Sequence, residues 1–138
     1  MKTKYLTVCI DSNVFISAFA FGGKPAKIIE LALEKKFYSV SSMIILKEVK
    51  RNLINKLDFS ESEVSVFIND IIEISTLYEP MGDVNFIPYK PDSLVLETAL
   101  LGSADILVTG DKRDLLPLKS FGHVIIEPPS ALLVRLGY

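Results

Sequence analysis

Apolar and polar positions alternate along the chain in two rhythms. Val8, Cys9 and Ile10 form an uninterrupted apolar run that breaks at Asp11. Such a run reads as a short strand buried on both faces, as inside a parallel sheet. Ser12 and Asn13 follow, both good helix starters, and the pattern predicts a short helix over 15–21. After the loop Gly22-Gly23-Lys24-Pro25, Ile28, Ile29, Ala32 and Leu33 recur at helical spacing, with Pro25 suited to the first turn. That helix is predicted to reach about Lys36, and 37–41 reads as a second strand. Ser41 or Ser42 caps a helix over 43–57 whose stripe is Leu46, Val49, Leu53 and Leu57. Ser60-Glu61-Ser62-Glu63 is a capping box opening a helix to about Ser75, with Val64, Phe67, Ile68, Ile71 and Ile72 as its buried face. A short extended piece is expected over 76–78 and a loop over 79–91. Asp92 reads as the N-cap of a helix over 93–102. A second buried-strand pattern, Ala104 to Thr109, ends like the first in small polar residues and a carboxylate, Thr109-Gly110-Asp111. A strand at 124–126, Pro128-Pro129 and a helix over 130–136 close the chain.

Strands alternating with helices predict an α/β fold with helices on both faces of a mostly parallel sheet. At 138 residues, 49% of them hydrophobic, the chain is expected to be one domain (1–138) with one core. No apolar run approaches the roughly 18 residues of a membrane span. The start, MKTKYLTVCID, is too briefly apolar for a signal peptide. One cysteine permits no internal disulfide, which fits a reducing cytoplasm, and Cys9, mid-strand, reads as a small core residue. A net charge of −2 is not the signature of a general nucleic-acid binder, although acids gathered around a bound metal would mask a local preference. One His and one Cys cannot build a zinc site of the usual ligands, and no nucleophile motif supports a triad through His123, which reads as a turn or strand-edge residue.

The chemistry follows from which strand ends carry charge. Asp11 and Asp111 both end buried strands, and in a parallel sheet those ends share one edge, where open α/β folds place ligands. Asp114 follows three residues later. Asp92 begins the helix before the second of these strands; spacing alone leaves open which edge it meets. Asp105 precedes that strand and is left out of the site. Glu48 lies beside the apolar stripe of its helix; spacing alone favours an exposed glutamate paired with Arg51. Crowded carboxylates repel and raise one another's pKa. A divalent cation removes that penalty, and oxygen-only ligands select Mg²⁺ or Mn²⁺. Such a site suits phosphoryl chemistry.

Asp11-Ser12-Asn13-Val14 after an apolar strand resembles the opening D-[ST]-N-V of the PIN-domain family. Ile45-Leu46-Lys47-Glu48, the segment Asp92 to Ala99, and Ala104 to Asp111 with Asp114-Leu115-Leu116 are similar to that family's later segments, in order. Pro128 to Leu136 looks like its closing helix. The resemblance is nearest to the branch of toxins of toxin–antitoxin pairs. It implies a three-layer α/β/α sandwich with a central sheet of about five strands, and a cytoplasmic metal-dependent nuclease, usually of RNA, using one or two Mg²⁺ or Mn²⁺ ions. By the same resemblance Asp11, Glu48, Asp92 and Asp111 are the acidic quartet and Asp114 an auxiliary acid. Ser12, Asn13 and Thr109 orient the carboxylates. Lys112 and Arg113, with Lys47, Lys50 and Arg51, are candidates for RNA phosphates or else solvated surface charges. A cognate antitoxin and a homodimer are implied partners. One departure stands out. The branch often carries D-P-x-D-D in its third segment, where this chain has Tyr89-Lys90-Pro91-Asp92-Ser93, so one acid remains.

Two rivals have other chemistry. A haloacid-dehalogenase-like phosphatase also starts with an Asp after a buried strand, but wants a second Asp two residues on, where this chain has Asn13. A non-catalytic RNA- or protein-binding module that keeps the fold is the other; the intact quartet argues against it.

Overall fold

A computed structural model describes residues 5–84 and 90–138. The elements are β1 (Thr7–Ile10), α1 (Ser12–Phe21), α2 (Gly23–Leu33), β2 (Tyr38–Ser41), α3 (Met43–Arg51), α4 (Glu61–Ile74), β3 (Ser75–Leu77), α5 (Lys90–Leu101), β4 (Ile106–Val108), β5 (Ser120–Phe121), β6 (Val124–Glu127) and α6 (Pro129–Arg135).

The strands form one six-stranded sheet in the order β3-β2-β1-β4-β6-β5. Every pairing is parallel except the short β5–β6 ribbon. The α/β expectation holds, with one more strand than expected. The extra strand is β5, joined to β6 through Gly122 and His123, the former at φ 60°, a backbone region that favours glycine. β1 and β4 are the central strands: Val8, Cys9, Ile10, Ile106, Leu107 and Val108 are all buried, as the unbroken apolar runs require.

The order of strands explains where a site can form. The chain steps outward from β1 to β2 to β3, then returns across β1 to lay β4 on its other side. Right-handed crossovers therefore put the helices of the outward path on one face and α5, the return crossover, on the other. α5 packs across β2, β1 and β4, whereas α2 packs on α1, α4 and α6. The reversal between β1 and β4 is a topological switch point, where the flanking connections diverge and leave a crevice at the carboxyl edge.

The helices depart from expectation at their ends. α3 stops at Arg51 and passes into a π-helical turn over Asn52–Lys56 instead of running unbroken to Leu57. The Asn52 side-chain amide donates to the Glu48 carbonyl at 2.8 Å, a competing bond of the sort that disturbs the regular ladder. Ser42 caps α3 and Ser60 caps α4 through their side-chain oxygens. Glu63 reaches back, accepting from the Ser60 hydroxyl at 2.9 Å. The π turn turns the stripe as well: Leu53 is fully buried but Leu57 is 38% exposed. α5 begins at Lys90, so Asp92 is a first-turn residue and not the N-cap.

Gly102, just past α5, sits where the chain passes close against β2. A Cβ there would lie 2.9 Å from the Cβ of Val40 on β2. Among the described residues, no helix is long and apolar enough to cross a membrane.

Candidate metal centre

The parallel register sets the frame. Ile10 pairs with Val108, and Val108 with Glu127. The residues just past β1 and β4 are thus neighbours: the Asp11 amide donates to the Val108 carbonyl at 3.0 Å, and the Thr109 amide to the Glu127 carbonyl at 3.1 Å. Two polar side chains starting from adjacent strand ends must meet.

Asp11 is 4% exposed and held on both oxygens. Oδ1 accepts from the Ser12 amide at 2.8 Å, the bond that makes Asp11 the N-cap of α1. Oδ2 accepts from the Thr109 hydroxyl at 2.8 Å and from Asn13 Nδ2 at 3.1 Å. Thr109 Oγ1 accepts in turn from the Asp111 amide at 3.0 Å and from Asn13 Nδ2 at 3.3 Å. Asn13 Oδ1 accepts from the Gly110 amide at 2.9 Å. Ser12 acts through its backbone, Asn13 and Thr109 through their side chains. Together they tie the end of β1 to the turn after β4.

That turn carries the other acids. Asp111 Oδ1 accepts from the amides of Arg113 and Asp114 at 3.0 and 3.1 Å. This side-chain turn fixes where Asp114 points. Asp92 arrives from the opposite face of the sheet on the first turn of α5. Carboxylate oxygens of Asp92, Asp111 and Asp114 lie within 4.8 Å of one another. The question left open by spacing is thereby answered: Asp92 meets the carboxyl edge.

The electrostatics agree. Burial raises the Asp11 pKa from 3.8 to about 6 against the opposing bonds from Thr109 and Ser12, with the charges of Glu48 and Asp111 adding to the rise. Asp92, half-buried, rises from 3.8 to about 7, first through burial and then through Asp111, Asp11, Asp114 and Glu48. Glu48 is half-buried on α3 and close enough to act on both. So the structure brings together Asp11, Glu48, Asp92, Asp111 and Asp114, with Ser12, Asn13 and Thr109 among them. Lys112 and Arg113 are exposed beside the acids. Lys50 is turned to Glu61 at 3.7 Å. Asp105, as expected, stands at the other edge, where it accepts from the Thr7 amide at 2.9 Å. Tyr89 lies outside the described residues.

The donor set fits a hard divalent cation. It is all oxygen, anionic and partly exposed, and two of its neighbouring acids, Asp11 and Asp92, resist ionisation without a counter-charge. Asp92, Asp111 and Asp114 are the residues placed to hold one.

Sequence reading assigned no role to Glu97. It is 4% exposed on α5 and accepts from four consecutive amides, those of Met81, Gly82, Asp83 and Val84. Burial works against its charge, and the four N–H donors more than reverse this, holding its carboxyl below the usual range. The signal was present in the sequence: one acid inside the apolar run Leu94-Val95-Leu96-Glu97-Thr98-Ala99 needs a partner if it is buried.

Comparison with known proteins places this arrangement. A family model described as a PIN domain matches residues 7–113. An uncharacterised protein of Methanocaldococcus jannaschii is 31% identical over 124 residues, covering 86% of this chain and 79% of that protein. Among solved structures, the crystal structure of VapBC2 from Rickettsia felis bound to a DNA fragment from their promoter superposes with a TM-score of 0.63 at 14% identity. That match covers 89% of this chain and 98% of the other.

Proposed function

Because the chain belongs to the PIN-domain family, we propose that it is a metal-dependent ribonuclease, hydrolysing RNA phosphodiester bonds at the carboxyl edge of its sheet. The observation that carries this is the convergence of Asp92, Asp111 and Asp114 beside Asp11 and Glu48 at the switch point. Mutually repelling carboxylates are costly to assemble. Mg²⁺ or Mn²⁺, held by Asp92, Asp111 and Asp114, would make a bound water more acidic and offset charge on the phosphate.

The chain's own residues do the rest. Asp11, immobilised by Ser12, Asn13 and Thr109, fixes the geometry of the acidic edge and contributes negative charge behind the cluster. Glu48 stands apart on α3 and orients the attacking water. Water adds to phosphorus and gives up one proton to solvent, the bond to the leaving oxygen breaks, and that oxygen takes a proton from solvent. Lys112 and Arg113 meet the flanking phosphates of a single strand. The likeness to the VapBC2 structure supports a role as the toxin of a toxin–antitoxin pair in the cytoplasm, with the antitoxin covering the acidic edge.

The experiment is incubation of a single-stranded RNA with the protein and Mn²⁺, with chelator, Asp11→Asn and Glu48→Gln as controls. Cleavage is expected to need the metal and to fall at least about a hundredfold in either variant. Cleavage indifferent to chelator and to both substitutions would sink the proposal.

A further inference from the structure

Beside the acidic cluster on the same sheet edge, a cavity of about 420 Å³ opens between Met43, Ile44 and Lys47 of α3 and the chain from Leu77 to Pro80. Its position follows from the topology. β3 ends at Leu77 next to the end of β2, with the Tyr78 amide bonded to the Ser41 carbonyl at 2.8 Å. α3 starts from the end of β2. The cavity is thus the next crevice along the edge from the switch point, and Lys47, on its wall, directly precedes Glu48. Its lining combines exposed apolar surface from Met43, Ile44 and Leu77 with the aromatic Tyr78 and one cation. Glu79 adds one acid at the rim.

The sheet holds this wall as far as Tyr78, and beyond it the chain leaves the sheet through Glu79 and Pro80. The next residues, Met81 to Val84, lie outside any strand or helix. Their amides converge on Glu97, whose Oε1 accepts from the Gly82, Asp83 and Val84 amides at 3.0, 2.8 and 3.3 Å and whose Oε2 accepts from Met81. Gly82, at φ 86°, lets consecutive N–H groups turn toward one point. Glu97 therefore clips the wall to α5, five residues beyond Asp92 on the same helix.

We propose that Glu97 is a positioning residue for substrate: by gripping the amides of 81–84 it sets the 79–80 end of the wall of a groove that seats an unstacked nucleoside of the RNA strand beside the acidic centre. This rests on the ribonuclease reading. Tyr78 and the apolar side chains offer a face on which any base can stack. Lys47 offers the charge that a neighbouring phosphate requires. The groove opens past the ends of β2 and β3, on the same carboxyl edge as Asp11 at the end of β1, so a strand crossing the acids along that edge runs toward it. Glu97 acts on substrate affinity and not on the metal, because its oxygens are spent on the loop.

The test uses the full chain and Glu97→Gln, which keeps the shape but turns an amide N–H₂ toward donors. Glu97→Asp, which retracts the carboxylate by one methylene, serves as the second variant. Amide hydrogen exchange, calorimetric Mn²⁺ titration and anisotropy of a labelled single-stranded oligoribonucleotide are read alongside cleavage. Both variants are expected to exchange faster at 81–84, to hold Mn²⁺ as tightly as the parent, and to bind the RNA about tenfold more weakly, with KM rising and kcat kept. Unchanged RNA affinity overturns the inference. Lost Mn²⁺ affinity or a fallen kcat at unchanged KM overturns it equally, since Glu97 would then act through Asp92. A parent protein that binds RNA but does not cleave it with Mn²⁺ sinks the ribonuclease reading alone; one that cleaves while the variants match it sinks only this inference.

Discussion

Replacing Asp92 by Asn should stabilise the metal-free protein at alkaline pH, and the amount can be worked from the site. In the folded chain the Asp92 pKa stands near 7 instead of 3.8. A folded-state pKa above the unfolded one means stability that is present below about pH 4 and lost as pH rises through about 7. Three pH units correspond to about 4 kcal/mol, and solvent screening of a half-exposed group halves that to about 2 kcal/mol. Asp11 follows the same sign over a lower window, from 3.8 to about 6, and being buried it carries about 3 kcal/mol. Asp11 ionises first, while Asp92 still holds its proton, so the substitution leaves the lower window intact. Between about pH 4 and pH 8 the variant should therefore lose roughly 2 kcal/mol less than the parent. That is a difference of roughly 5–10 °C in how far Tm falls. Glu97 has the opposite sign: its lowered pKa stabilises above its unfolded value and is lost in acid. It is common to both proteins and cancels. The assay is chelator-treated urea or thermal denaturation of both proteins across this range. Saturating Mn²⁺ should flatten the parent's fall and leave the variant's nearly unaltered. Parallel pH profiles for parent and variant would refute the reasoning.

Two other substitutions probe the frame. Thr109→Val keeps the volume but deprives Asp11 Oδ2 of its hydroxyl donor and the Asp111 amide of its acceptor; it should cost about 2–3 kcal/mol in urea denaturation and weaken Mn²⁺ binding, and a loss under about 0.5 kcal/mol would contradict the network. Gly102→Ala drives a methyl into Val40; it should cost about 1–3 kcal/mol, with most of that recovered when Val40→Ala is added, and a double variant no better than the single would place the strain elsewhere.

Much of this was legible because burial on both faces leaves a plain mark. Val8 to Ile10 and Ile106 to Val108 are apolar without alternation, and each is followed at once by an acid or by Thr109-Gly110-Asp111. Asp92 was harder. Taken as an N-cap, it could face either edge. A crossover helix, however, begins at the edge where the preceding strand ended. Had 75–77 been read as a parallel strand instead of an extended piece, the first turn of α5 would have been bound to the carboxyl edge. The helix start itself was obscured by Pro91, which was counted with the loop although proline suits a first turn. For Glu48, spacing favours an exposed glutamate paired with Arg51, because its nearness to Asp11 and Asp92 depends on how α3 leaves β2. Glu97 escaped for another reason: its partners are backbone amides, and backbone amides have no identity in a sequence.

The acids at the edge are not equivalent, and the hydrogen bonds say how they differ. Both oxygens of Asp11 are engaged by the protein, which makes it a structural pin joining β1 to the turn after β4. Asp111 spends Oδ1 on the Arg113 and Asp114 amides, so it both belongs to the cluster and builds the turn that places Asp114 in it. Asp92 comes from across the sheet, and its pKa is the higher of the two raised ones. Its proton is thus the last of these two to leave in the metal-free protein and the first to be displaced by a cation. The structure places Asp92, Asp111 and Asp114 together, and the D-S-N motif that opens the chain serves them by fixing the edge from which they converge. An acid that is pinned cannot relax away from its neighbours, so the repulsion persists until a cation is bound. Loosening Asp11 should weaken metal binding even if Asp11 never touches the ion.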